Sequence, residues 1–425
     1  MARVLITGMA WACAACLATN AAAQTPLTWA EVRARFEAGN PTLRAGQLGV
    51  DESKADEVTA YLRPNPGLSI PGFLVNVTGV PPDTGRFQNL TTSVSLDYLI
   101  ARAHKRDLRR DSAQGATTIA MSTQADLVRT MSFSLRSAFI QLLQAKAFLT
   151  LAQQNLADYD RVLSVSRDRF QSGDIAQVDL DRLQLQRVQY ESDFQTATVN
   201  VRTSKIQLIQ LLNDRTATVE AFDVTGPYDF APPARSLDDV RLAALAARPD
   251  LLAARQAIDK AKVDYQLAVA NGSTDPDIGA TVAWQPQPDG NGPESVSVGV
   301  GVSIPLRIFD RNQGEKQKTK IDITRNERLS DATRAQVISD VDSAYATLLS
   351  TVALLQPYKA TYLAQSTRVR DTVEFSFQRG GATLLDFLQA QQDYRSVQVS
   401  YVNLIAAFLN AGAQLNLATG QEVIP

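Results

Sequence analysis

The sequence predicts a mainly α-helical chain with a transmembrane β part: long antiparallel helices packed in coiled-coil fashion, plus four β-strands. Three observations predict it. One phrase occurs twice, as "FQSGDIAQVDL" at 170–180 and "FQRGGATLLDF" at 377–387. Long stretches lack proline and almost lack glycine. Other short stretches alternate strictly between apolar and small polar residues.

The duplication extends along the chain. "WAEVRARFEAGNPTL" (29–43) aligns with "LDDVRLAALAARPDL" (237–251), and "SVSLDYL" (93–99) with "GVSIPLR" (301–307). All anchors keep an offset of 207 or 208, and long-period self-similarity marks repeated architecture. Two structural repeats are expected, 24–224 and 237–425, joined by the Pro-rich linker "TGPYDFAPPARS" at 225–236. Each repeat holds helices, a β-hairpin (67–100 and 277–306) and a long helix pair turning at its copy of the phrase.

Residues 1–23 read as a secretory signal, with one Arg, an apolar run and Ala21-x-Ala23 before Gln24. Both cysteines, Cys13 and Cys16, fall inside it, so cleavage after Ala23 leaves neither disulfides nor thiolate metal sites. Two alternatives stand beside this: a lipoprotein acylated on Cys16, and an uncleaved anchor. The balance of 42 Lys+Arg against 44 Asp+Glu gives no basic surplus for nucleic acid. No later segment offers the roughly 18 uninterrupted apolar residues of a membrane helix.

From Arg86 to Thr225 there is no proline, and the only glycines are Gly115 and Gly173. Proline costs about 3 kcal/mol inside a helix and glycine about 1, so this composition permits very long helices. A single helix over 102–171 would run about 105 Å at ~1.5 Å per residue. The apolar spacing says how such helices pack. Tyr190, Phe194, Ala197, Val201, Ser204 and Leu208 in the first repeat, and Tyr394, Val397, Tyr401, Leu404, Phe408, Ala411 and Leu415 in the second, alternate steps of three and four. That is a coiled-coil seam. "SGD" and "RGG" interrupt it, and Gly173 or Gly380 can take the left-handed conformation that ends a helix. Each phrase is then a tight turn between antiparallel helices. On the helices alone, a soluble coiled-coil rod remains open.

The strands point elsewhere. "SVSVGVGVSIPL" (295–306) puts Val296, Val298, Val300, Val302, Ile304 and Leu306 on one face and mostly Ser and Gly on the other. "SVSLDYLI" (93–100) does the same with Val94, Leu96, Tyr98 and Ile100, and "DIGATVAW" (277–284) with Ile278, Ala280, Val282 and Trp284. A fourth, "LSIPGFLVNVTG" (68–79), is broken by Pro71. Such lengths fit tilted transmembrane strands of about 9–11 residues. A soluble sheet covered by helices would also alternate. A bilayer, however, admits sheets only as closed barrels, and four strands cannot close; spanning strands therefore require several copies to share one barrel.

No catalytic constellation is present. His104, the only histidine, stands beside Arg102, Lys105 and Arg106 with no His or Cys partner, and reads as an exposed junction residue. "SGDIAQ" lacks the glycine spacing and lysine of a phosphate loop. No enzyme activity, cofactor or resident metal is expected.

The signal, the duplicated helix–hairpin–helix pattern, "NPTL" and "RPDL" near the repeat starts, and the paired "F-Q-x-G…D" phrases resemble the TolC-type outer membrane efflux proteins. "SIPLRIFDRNQGE" (303–315), with "FQRGGATLLDFLQAQQDY" (377–394), is most similar to the CzcC-like branch, associated with heavy-metal cation efflux. The resemblance implies a homotrimer with a twelve-stranded barrel in the outer membrane of a Gram-negative bacterium. It also implies a helical tunnel in the periplasm, closed at its tip until docked to a periplasmic adaptor and an inner-membrane RND-type pump. Family tips carry acidic residues around the aperture; the matching positions are Asp386 and, by internal alignment, Asp179. Gln389 stands where some relatives have a second acidic residue. Gly173, Asp174, Gly380 and Gly381 would shape the turns that meet the adaptor, and Arg169 and Arg379 would form ion pairs between tips. Other exit ducts of the family, for drugs or secreted polypeptides, and a periplasmic scaffold without a pore are the alternatives. The first repeat's junction, "LDYLIARAHKRD", lacks the "IPL…NQG" wording.

Overall fold

The computed structural model describes residues 25–70, 92–232, 234–285 and 295–424. The proposed leader with both cysteines, the hairpin loops, and the strand expected beyond Ile70 lie outside the described residues. Short α1 (Trp29–Gly39) and α2 (Pro41–Tyr61) precede β1 (Gly67–Ser69) and β2 (Thr92–Leu99). Then follow α3 (Lys105–Gln171) and α4 (Gln177–Leu212). The second half repeats the order with α5 (Leu237–Ala247), α6 (Pro249–Asn271), β3 (Asp277–Gln285), β4 (Ser295–Ser303), α7 (Gln313–Pro357), α8 (Leu363–Gln378) and α9 (Leu384–Thr419).

The "NP" and "RP" phrases are helix starts. Proline at the first helical position lacks only an N–H that would be unpaired anyway. In α2 the Asn40 carboxamide oxygen caps the turn, accepting from the Thr42 and Leu43 amides at 2.9 and 3.2 Å. In α6 the corresponding Arg248 is buried instead. Its guanidinium bonds Asp250 and Asp340 at 2.5 and 2.7 Å and the Ala418 carbonyl at 3.3 Å.

The four strands form one antiparallel sheet in the order β1-β2-β3-β4. Its register decides the faces. Val94 lies opposite Val282, which lies opposite Val298; Leu96, Ala280 and Val300 align likewise, as do Tyr98, Ile278 and Val302. Cross-strand partners share a face. The expected apolar positions therefore make one continuous surface, backed by Ser93, Ser95, Asp97, Thr281, Ser297 and glycines. A Cβ on Gly279 would sit 2.4 Å from an Asp97 carboxylate oxygen, so a larger residue there would displace that side chain. The apolar surface is uncovered: Val296, Val298, Val300 and Val302 are 61–79% exposed. Assigned β4 ends at Ser303, before Pro305, three residues short of the expected strand.

Helical packing follows the expected periods. On α4, Leu183, Tyr190, Ala197 and Ser204 are buried at seven-residue intervals, with Leu180 and Leu208 beside them. On α9, Phe408, Ala411 and Leu415 are buried. They pack with Val337, Val341, Ala344, Leu348 and Leu355 of α7, and with Val240 and Leu251, in one core. The helical run Gln313–Gln378 contains a stretch that by length and average composition is apolar enough to cross a bilayer, though polar residues interrupt it as expected. About a third of that stretch is buried, and its buried apolar residues belong to this core. The same run also holds a π-helical turn, Tyr358–Tyr362, directly after Pro357, which the sequence reading did not anticipate. Proline lacks the N–H for the i→i−4 ladder, and a locally widened turn accommodates the break.

Contacts divide the chain into two units, one ending at Gly39 and resuming over Gln141–Pro227, the other made of Asn40–Ile140 and Tyr228–Pro425. In the first, the Leu27 amide and carbonyl both bond the strand-like segment at Asp223 and Thr225, each at 2.9 Å. In the second, the linker is tied down by Tyr228, which donates to the Val402 carbonyl at 2.7 Å, and by an Asp229–Lys359 ion pair at 2.8 Å.

Candidate functional site: the helical tips

At the first tip, α3 ends and Gly173 adopts φ +82°. The Gly173 amide bonds the Phe170 carbonyl at 3.0 Å, and the Asp174 amide bonds the Arg169 carbonyl at 2.8 Å. This is a Schellman stop. The second tip has the same pair: Gly380 at φ +77°, its amide on the Phe377 carbonyl at 3.1 Å, and the Gly381 amide on the Ser376 carbonyl at 2.8 Å. The repeated F-Q-x-G wording thus encodes a repeated hydrogen-bond pattern. Gly381 contributes its N–H without a left-handed backbone. No atom lies within 4 Å of a Cβ built on Gly173 or Gly380, so backbone conformation alone requires glycine.

The outgoing helices start differently. At Thr383 the hydroxyl accepts the Asp386 amide at 3.1 Å. The Asp386 carboxylate in turn accepts the Thr383 amide at 3.1 Å and hydroxyl at 2.7 Å. This reciprocal capping box holds the Asp386 carboxyl below its usual range, through the Thr383 hydroxyl first and the Thr383 amide second. The residue stays ionised and exposed, at the negative-preferring end of a helix. At the matching position of the first tip stands Ala176, which caps nothing. Asp179 is half-buried, with Arg182 at 3.8 Å one turn on.

The remaining expected residues have local engagements. The Arg379 guanidinium lies 4.0 Å over the Phe375 ring, on its own helix. Asp174 is exposed at the turn, Arg169 is half-buried, and Gln389 bonds Asp393 at 2.8 Å.

Sequence reasoning overlooked what stiffens each tip. In the second, the Phe377 and Phe387 rings stack at 4.8 Å, both buried. In the first, Tyr159 stacks on Tyr190 at 4.5 Å and donates to the Leu183 carbonyl at 3.0 Å, and burial pushes its phenol well above the ordinary range. Arg187 makes two bonds to Asp160 across the pair, at 2.6 and 3.3 Å. The T-x-x-D spacing at 383–386 was a readable capping signal; the stacks carried none.

His104 is exposed at the strand–helix junction, in a left-handed conformation, 3.5 Å from Asp107. Among the described residues, no group of three or more His, Cys, Asp or Glu side chains gathers as a metal site.

Comparison with known proteins accords with this geometry. Over 398 residues, 93% of this chain and 90% of the relative, the sequence is 23% identical to the cobalt-zinc-cadmium resistance protein CzcC of Cupriavidus metallidurans. The fold is similar to that of the outer-membrane channel OprN, with a TM-score of 0.77 at 14% identity over 93% of this chain and 91% of that one. It is similar also to the outer membrane protein VceC of Vibrio cholerae, with a TM-score of 0.74 at 16% identity over 93% and 97%. The sequence model of outer membrane efflux proteins matches twice, over residues 33–214 and 241–421. With long helices turning at glycine stops and, among the described residues, a four-stranded antiparallel sheet, this chain belongs to the outer membrane efflux protein family.

Proposed function

We propose that this chain is the exit duct of a tripartite efflux system: a homotrimer in a Gram-negative outer membrane, its helices reaching into the periplasm to meet an adaptor and an RND-type pump. The observation that carries the reading is the open sheet. Among the described residues β1 and β4 have one strand neighbour each, and β4 shows its valines to the surroundings. In hydrocarbon an unpaired strand edge costs several kcal/mol per group, about what closure with further copies would recover. Three copies supply twelve strands, within the known range of about 8 to 26. The two repeats, 24–224 and 237–425, and cleavage after residue 23 are part of this reading.

For cargo we propose heavy-metal cations, on the likeness to CzcC. Asp386, with Asp179, would ring the aperture with negative charge, which favours cations. Gly173, Asp174, Gly380 and Gly381 would present the turns to the adaptor. Arg169 and Arg379 would make weak ion pairs between tips, about 0–1 kcal/mol each and so releasable on docking.

Membrane fractionation tests the duct: a detergent-resistant trimer in the outer membrane is expected, whereas a soluble monomer would leave a scaffold. Metal sensitivity of a deletion strain tests the cargo, and drug sensitivity alone would move it to organic compounds. Bilayer conductance tests the ring. Asp386→Asn should lower cation preference while Thr383→Ala, which breaks the cap and keeps the charge, should not. Equal losses in both would assign the effect to tip structure.

A further inference from the structure

The loop between β4 and α7 reads Ile304-Pro305-Leu306-Arg307-Ile308-Phe309-Asp310-Arg311-Asn312. Its apolar side chains point away from the protein: Leu306 is 78% exposed, Ile308 62% and Phe309 89%. The loop is nevertheless fixed in place by its polar residues. The Asn312 carboxamide donates to the Ala268 carbonyl at 2.8 Å, and the Asp310 carboxylate accepts the Asn312 amide at 2.8 Å. Gln313 accepts the Arg311 amide at 2.8 Å and donates to the Phe309 carbonyl at 3.1 Å. Hydrogen bonding turned inward and apolar groups held outward is the reverse of an ordinary water-facing loop.

Two further features surround it. The exposed apolar face of β4 runs into the loop without a break, since Ile304 and Leu306 continue the alternation of Val296 to Val302. The same end of the sheet, where Leu99, Asp277 and Ser303 align, is basic. Over 303–320 there are Arg307, Arg311, Lys316, Lys318 and Lys320 against Asp310 and Glu315. Three of the nearby acids are engaged: Asp275 holds Lys105 at 2.7 Å, Asp310 caps the loop, and Glu315 pairs with Lys318 at 3.1 Å. Asp277 Oδ1 and Arg307 Nε are buried and make no hydrogen bond among the described residues. The matching loop of the first repeat supplies exposed Arg102 and His104, with Ile100, 37% exposed, as its one large apolar group. Apolar side chains set among arginines suit a membrane–water interface, where rings and methyls enter the acyl boundary and guanidinium groups meet phosphate.

We propose that this loop is a membrane-interface anchor that seats anionic glycerophospholipid headgroups of the leaflet nearest the helices. Leu306, Ile308 and Phe309 enter the boundary, and Arg307 and Arg311 hold the phosphates. The proposal rests on the sheet spanning a membrane, as under Proposed function. It makes the loop the element that fixes how deep the barrel sits, with depth dependent on anionic lipid.

The full chain reconstituted into vesicles tests it. Phe309→Cys, labelled with a bimane fluorophore, reports contact with brominated acyl chains; Val300→Cys reports the strand itself, and the parent chain labelled in parallel gives the background. The label at 309 should be quenched, more by brominated phosphatidylglycerol than by an equal share of brominated phosphatidylcholine. Arg307→Gln/Arg311→Gln should abolish that preference and keep the quenching. Quenching at 300 but not at 309 would mean that a second copy covers the loop, and would overturn the anchor. Equal quenching by both lipids would leave apolar insertion without headgroup recognition and overturn the phosphate assignment, whether or not the arginine variant folds. No quenching at either position would overturn the membrane-spanning reading itself.

Discussion

The tip at 171–177 and the tip at 378–384 stop the incoming helix with the same two amide bonds, yet start the outgoing helix with different chemistry. Both need a left-handed glycine, at φ +82° and +77°. Only the second adds a capping box, and only there do the stacked rings flank the turn itself, since the Tyr159–Tyr190 pair of the first lies roughly three to four helical turns away from Gly173. The stop is a backbone requirement that a duplicated sequence keeps. The start can be met by any group able to accept an amide hydrogen bond, or by water, so it is free to diverge. Divergence has left one acidic residue locked, Asp386, and the other, Asp179, to a longer contact with Arg182.

The largest expected effect comes from the stack. Phe387→Ala should cost about 3–5 kcal/mol, as buried aromatic truncations do, and appear as lost amide-exchange protection over 377–390. Leu180→Ala at the equivalent position should cost about 2–5 kcal/mol, read over 170–183, without the ~0.5–1.5 kcal/mol of an aromatic pair. If the leucine variant loses as much, the stack does not distinguish the tips. Next in size, Gly173→Ala and Gly380→Ala should each cost about 1–2 kcal/mol, and equally, because open space leaves only backbone strain. Unequal losses in local opening would show that the two stops are not equivalent.

Thr383→Ala should cost about 1 kcal/mol at the start of α9, whereas Ala176→Thr should stabilise α4 by up to a similar amount by offering Asp179 a partner. Exchange rates of the first-turn amides read both, and a neutral Ala176→Thr would show that Asp179 cannot close the box. The smallest effect is on pH. The Asp386 carboxyl lies below its ordinary value of 3.8 when folded, through its Thr383 bonds. Its stabilisation is therefore complete above that value and is lost as pH falls through the lower, folded one. Acid titration of amide exchange should loosen the start of α9 in that range, and Thr383→Ala should remove most of the dependence.

Local periods made much of the fold legible. Alternation identified the apolar face of β2, β3 and β4, and the three-four spacing identified Tyr190, Ala197, Ser204 and Leu208 as one buried line. The glycine stops were readable because few residues other than glycine tolerate that backbone. The π-helical turn was only half readable. Pro357 announces a disturbance, but whether the chain breaks, kinks or widens depends on what packs there. Here Lys359 within the turn reaches Asp229 of the linker, 130 positions away in sequence. Of the tip residues, Gly173 and Gly380 were legible as turns. The capping role of Asp386 lay in a T-x-x-D spacing, and the three-four spacing marked Tyr190 as buried without saying which ring it stacks on.

By itself the sequence determined which stretches are helix or strand, where helices stop and which residues share a face, because these follow from backbone sterics and side-chain period within a few residues. Only the tertiary structure decided that β2 of one repeat pairs with β3 of the other, that Arg248 is buried between Asp250 and Asp340, and that the 304–309 loop holds its apolar groups outward. Those depend on contacts between distant residues, which no local period encodes.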